Sequence, residues 1–327
     1  MRLTVAAGRY DRVAALRDGR VHVESLEFNW LTMRAEELFW RMIRYNEFDV
    51  SEMSLSGYVL QRARGLEDFV AIPVFLSRAF RHACFYINTE SGIVEPSDLK
   101  GRKIGVPEYQ ITAAVWARGI LSDDYGVTAQ DMDWYQGGLE NPGRVPFEPV
   151  EPEGVRLQFP PPAKTLSGMI ASGELDALIS PREPSTFQNG AGTVRRLFPE
   201  PWTDEKKYFE RTGIFPIMHV VVIRRALLDE NPWIAQELYK GFLESKRLAM
   251  EYLLDPAAVP SALPFLTENI NATIDLMGKD FWPYGIEANR VGLETFVRYL
   301  VEQGMIKEAI PVEELFAEST RRMRLGI

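Results

Sequence analysis

Proton transfer near neutral pH falls most easily to histidine, whose unperturbed pKa is about 6.5, and this chain has only three histidines: His22, His82 and His219. His82 precedes Ala83-Cys84 and His219 lies between Met218 and Val220, each in a strand-like apolar run. His22 sits in a charged, loop-like context that fits a structural or solvated role. Arginine suits two-pronged recognition of a carboxylate. Arg78 and Arg81 stand together in SRAFRH, and Arg182 follows a short strand in ISPREPS. Glu52 and Ser54 close another strand in SEMSLSG. Glu108, Tyr109, Gln110 and Thr112 fall between a strand and a helix, where helix N–H groups favour an anion. Trp282 and Tyr284, in the turn FWPYG, could cover a ring-shaped ligand. The chemistry these types offer is proton transfer on a small, negatively charged ligand. Each also has a plainer role: core histidine, solvated arginine, helix cap or packing aromatic.

Several familiar chemistries lack their residues. There is no GxGxxG after a strand, no GxxxxGK[ST] loop and no GxSxG elbow. The single cysteine, Cys84, excludes an intrachain disulfide and reads as a small core residue. No organic cofactor is expected; a mixed His/Glu site leaves a divalent metal open. The formal net charge of −9 argues against nucleic acid as a partner. No apolar run approaches the ~20 residues of a membrane span, and the first residues do not read as a signal peptide. The expected compartment is therefore the cytoplasm, without a membrane partner. A homo-oligomer is compatible with the composition.

The elements that must position these residues alternate. Strands read at Leu3–Ala7, Leu26–Thr32, Asp49–Met53 and Phe69–Phe75, with helices at Ala35–Tyr45 and Leu55–Gly65. A strand at Arg102–Val106 leads through a loop into a helix from Thr112. The Pro- and Gly-rich span Gly137–Pro162 is long enough to be functional. Extended segments at Arg81–Asn88 and Ile214–Ile223 carry the chain into and out of a middle unit. The βαβα order argues for an α/β protein. The expected division is one lobe from residues 1–88 and 214–327 and an inserted lobe from 89–213, with a ligand cleft between them.

Five segments read together resemble one family: SRAFRHACFYIN, DLKGRKIGVPEYQITAAVWARGIL, GELDALISPREPS, GIFPIMHVVVIRR and DFWPYGIEANR. The chain resembles the 4,5-dihydroxyphthalate decarboxylase family over nearly its full length. DLKGRKIGV is shared more widely, with solute-binding proteins. The resemblance implies a two-lobed, type 2 periplasmic-binding-protein-like fold, with mixed sheets flanked by helices and two crossover strands. It also implies loss of one carboxyl group from an aromatic dicarboxylate without an organic cofactor. On that reading His82 or His219 protonates the ring carbon. Arg78 or Arg81, Arg182 and the Tyr109–Thr112 loop, with Glu52, Ser54, Trp282 and Tyr284, surround the substrate. The rival is a cytoplasmic or exported solute-binding protein that closes on an aromatic carboxylate without chemistry.

Overall fold

The computed structural model describes residues 1–323 apart from 147, 256, 258 and 259. Among the described residues eleven strands form two sheets: β1 (Arg2–Ala7), β2 (Glu27–Thr32), β3 (Val50–Ser54), β4 (Phe69–Arg78), β5 (Phe85–Asn88), β6 (Lys103–Val106), β7 (Asp133–Gln136), β8 (Arg156–Gln158), β9 (Ala177–Ile179), β10 (Val194–Arg196) and β11 (Ile217–Arg224). The first sheet runs β2-β1-β3-β11-β4 and the second β10-β5-β9-β6-β7-β8. In the first, β1 is parallel to β2 and β3, while β11 is antiparallel to β3 and β4. The second has β6, β7, β8 and β9 parallel, with β5 antiparallel to both its neighbours, β9 and β10.

Hydrophobic pattern explains the layers. β4 and β11 are nearly continuous apolar runs and lie in the interior of the first lobe, with helices on their faces. The helix Ala35–Tyr45 turns Leu38, Phe39 and Met42 inward and ends on Asn46 in the left-handed region. The extended segment read at Arg81–Asn88 is interrupted: His82–Cys84 forms a single 3-10 turn. β5 pairs with β9 and β10, so the chain crosses between the sheets at 79–84, before β5 rather than after residue 88. It returns just ahead of β11. The short strands β8 and β10 and the helix Pro201–Thr212 carried no distinct sequence signal.

The helix Thr112–Tyr125 joins the two halves. It follows β6, yet Val115, Trp116 and Ile120 belong to the core of the first sheet, while Ala114, Ala117 and Leu121 belong to that of the second. Trp116 packs tilted against Phe296 and edge-to-face with Tyr299, and donates its indole N–H to the Ile217 carbonyl at 2.9 Å. Gly119 lets this helix approach Tyr299: a Cβ there would stand 2.1 Å from the ring. The helix stops at Gly126, in the left-handed conformation.

Candidate active site

A cleft of about 510 Å³ opens between the lobes. Phe39, Ser54, Ser77, Met218 and His219 line it from the first sheet and its helices; Pro107, Ile111, Thr112, Leu139 and Ser180 face them. Arg81 enters from the crossing, and Arg34, Ala35, Glu36, Ala113, Arg144, Pro181 and Arg182 complete the lining.

Strand register builds its centre. β11 runs antiparallel to β3 with His219 opposite Ser54 and Val221 opposite Glu52. Glu52 is thus a diagonal neighbour of His219 on one face of the sheet. Its Oε1 lies 2.6 Å from His219 Nδ1 and accepts the Tyr10 hydroxyl at 2.7 Å. Its Oε2 accepts the Gly8 N–H at 2.7 Å. Burial works to raise the pKa of Glu52, but the charge of His219 and these hydrogen bonds outweigh it and hold the carboxyl below its usual range. An ionised carboxylate only accepts, so His219 Nδ1 carries a hydrogen and Nε2 is the ring nitrogen left for the cleft. The imidazole meets Phe39 edge-on at 4.8 Å between centroids.

Two helix starts converge beside this pair. Ser54 caps the helix Leu55–Ala63, accepting from Gly57 N–H. Its hydroxyl meets that of Thr112 at 2.9 Å, and Thr112 Oγ1 accepts the Ser56 N–H at 3.1 Å. The helix Thr112–Tyr125 begins without a side-chain cap, so the N–H groups of Thr112 and Ala113 remain for water or a ligand. Arg182 bonds Glu36 across the cleft at 2.5 and 3.1 Å. Burial works to raise the pKa of Glu36, but that bond and the charges of Arg182 and Arg144 hold it low. Arg144 pairs with buried Glu108, which also accepts from the Gln110 amide.

The structure brings His219, Ser54, Thr112, Arg81 and Arg182 to the cleft, with Glu52 directly behind. The other residues singled out from sequence lie elsewhere. His82, expected to face the cleft, is buried against Phe198 and Tyr208. Burial, with the nearby charge of Arg211, pushes its pKa down to about 4. Its Nδ1 has no hydrogen-bond partner among the described residues, and the ring is packed away from the cleft. Arg78 turns away on the last residue of β4 and donates to the Phe215 and Pro283 carbonyls and to Asn289. Tyr109 is buried beneath the Arg118 guanidinium, 3.7 Å from its ring centre. Gln110 is held by Glu108. Trp282 donates to the Phe75 carbonyl and lies under Arg12; Tyr284 is buried near Lys246. Neither ring lines the cleft, where Phe39 supplies the aromatic surface.

Sequence reading missed Arg34, Glu36, Phe39 and Arg144 as cleft residues. Phe39 was visible only as an inward position of an amphipathic helix, and Arg144 only as part of the long Pro-rich span. Among the described residues no three or more His, Cys, Asp or Glu side chains gather as a metal site would need. Among them, too, no helix is long and apolar enough to cross a membrane.

No protein-family model matches the chain. Its overall shape is similar to the periplasmic aliphatic sulphonate binding protein SsuA from Escherichia coli, with a TM-score of 0.54 at 14% identity, covering 98% of this chain and 99% of that one. It is also similar to a mutant of DSZB in complex with biphenyl-2-sulfinic acid, with a TM-score of 0.53 at 14% identity, covering 97% and 96%. These likenesses, with the two mixed sheets, define a protein of the type 2 periplasmic-binding-protein-like fold. A 4,5-dihydroxyphthalate decarboxylase from Comamonas testosteroni is 39% identical over 317 residues, covering 97% of this chain and 96% of that protein. Another from Pseudomonas putida is 44% identical over 202 residues, covering 62% of this chain and 78% of that protein. The chain belongs to the 4,5-dihydroxyphthalate decarboxylase family.

Proposed function

We propose that this protein is a carboxy-lyase that converts 4,5-dihydroxyphthalate to 3,4-dihydroxybenzoate and CO2. Beyond family membership, one observation carries the reading: His219 faces the cleft and is held from behind by the buried, ionised Glu52. A solute-binding site needs no such acid–base pair.

Each carboxylate of the substrate lies para to a ring hydroxyl. Protonating the ring carbon that bears a carboxylate therefore places positive charge where an oxygen can stabilise it. Protonated His219 supplies that proton from Nε2. The bond to the carboxylate then breaks, its electron pair restores the aromatic ring, and CO2 departs. His219 recovers its proton from solvent. Glu52 orients the imidazole and offsets its charge while it is protonated. A positioned acid of this kind contributes about 10²–10⁴-fold. Phe39, Ile111, Leu139 and Met218 give the departing carboxylate an apolar setting. The arginines of the cleft attract the dianion. We place the reaction in the cytoplasm, on a small aromatic dicarboxylate.

Incubating purified protein with 4,5-dihydroxyphthalate, with and without chelator, tests this. The expected result is one CO2 and one 3,4-dihydroxybenzoate per substrate consumed. Tight binding without product overturns the enzymatic reading in favour of a binding protein.

A further inference from the structure

Resting on that decarboxylation, we infer that Arg81 anchors the carboxylate the substrate keeps, and that this contact ends the reaction after one CO2. Arg81 is the cleft arginine placed at the crossing between the sheets, partly shielded from solvent. Its Nε donates to Met218 Sδ at 3.2 Å and its Nη1 to Cys84 Sγ at 3.7 Å. Sulfur is a weak acceptor, and although the charge of Arg81 is felt by nearby Glu205, that carboxylate accepts the Ala83 N–H and no hydrogen bond or ion pair to Arg81 is seen among the described residues, so the guanidinium has its strong bonds still to make. The other cleft arginines are differently placed. Arg182 is paired with Glu36 and Arg144 with Glu108. Arg34 has no acidic partner among the described residues but stands exposed to water.

The chemistry decides which carboxylate Arg81 serves. The departing group loses its negative charge as its carbon–carbon bond breaks. A guanidinium fastened to it would stabilise the ground state more than the transition state and slow the step. Arg81 therefore belongs with the carboxylate that stays. The product still has one carboxylate para to a hydroxyl, chemically able to leave. With that group on Arg81, the carbon near His219 is the one already stripped. Presenting the second carboxylate to His219 means giving up the Arg81 contact and leaving both groups unpaired.

The test compares Arg81→Gln and Arg81→Lys with the unaltered protein, after thermal melting has verified that they fold. Calorimetry measures Kd for 3,4-dihydroxybenzoate, with one carboxylate, and for catechol, with none; kinetics give kcat and KM for 4,5-dihydroxyphthalate. In Arg81→Gln, Kd for 3,4-dihydroxybenzoate and KM should rise about 10- to 100-fold, as expected for a lost charge-assisted hydrogen bond. Catechol affinity should move less than about twofold, and Arg81→Lys should fall between, keeping charge without the fork. An unchanged Kd for 3,4-dihydroxybenzoate overturns the anchor. So does a collapse of kcat with KM unchanged, which would put Arg81 on the departing group. If the unaltered protein makes no product, the decarboxylation reading fails and the single-step role of Arg81 with it, whereas the Kd comparison still reports whether Arg81 holds a carboxylate.

Discussion

The surroundings of His82 are aromatic and, among the described residues, offer its Nδ1 no partner, whereas His219 touches one aromatic ring and one buried carboxylate. Both histidines lie close to where the chain passes between the sheets, and both interrupt apolar runs. Their difference lies in what stands behind the ring. Burial without a partner removes the charged form of His82 from the working pH range. Behind His219 stands a buried carboxylate held in its ionised form, while one edge of the ring stays in the cleft. The same residue type becomes packing in one place and, in the reaction proposed above, an acid in the other. Arg78 and Arg81 repeat the lesson three residues apart: one ties backbone carbonyls together, the other faces the cleft over sulfur.

Substituting the two histidines in parallel is the sharpest way to break this contrast. His219→Asn should lower kcat by about 10²–10⁴-fold, while His82→Asn stays within a few-fold, both read as CO2 release. Equal losses would end the distinction. Glu52→Gln should cost about 10- to 100-fold, as for other residues that orient an imidazole from behind. The loss should fall on kcat with KM little changed, whereas a purely structural role would show first as a lower melting temperature. The smallest effect is on stability. The unfolded chain protonates His82 near pH 6.5, the folded protein only near 4. His82 thus supports folding fully above pH 6.5, and its support fades as pH falls from 6.5 to 4, by about 3 kcal/mol if the whole shift is realised. Denaturation across that range should lose this slope in His82→Leu.

Much of the fold was legible because its elements repeat simple patterns. The helix Ala35–Tyr45 and the start at Thr112 follow from periodicity, and β4 and β11 from unbroken apolar runs. β8 and β10, three residues each, are too short for any period to register. The site was legible where residues terminate or cross-pair strands: Glu52, Ser54, His219 and Arg182. It was obscured where a local turn chose the side. The 3-10 turn at His82–Cys84 ends the strand alternation that would relate Arg78, Arg81 and His82 to one another. Tyr109 is drawn inward by the guanidinium of Arg118, which reaches back from within the following helix. Trp282 is drawn off by the Phe75 carbonyl, a partner no local pattern reveals.

The helix Thr112–Tyr125 has a consequence for how the molecule melts. It is connected in sequence to the second sheet but contributes Val115, Trp116 and Ile120 to the core of the first. Loss of either half leaves these side chains, and the Trp116 bond to Ile217, without their counterpart. Neither half can therefore denature at its own temperature, and heating should produce one cooperative transition rather than two. A fragment ending near residue 213 would expose the same apolar face to water and be prone to aggregate. A large shared apolar interface also opposes wide opening of the lobes.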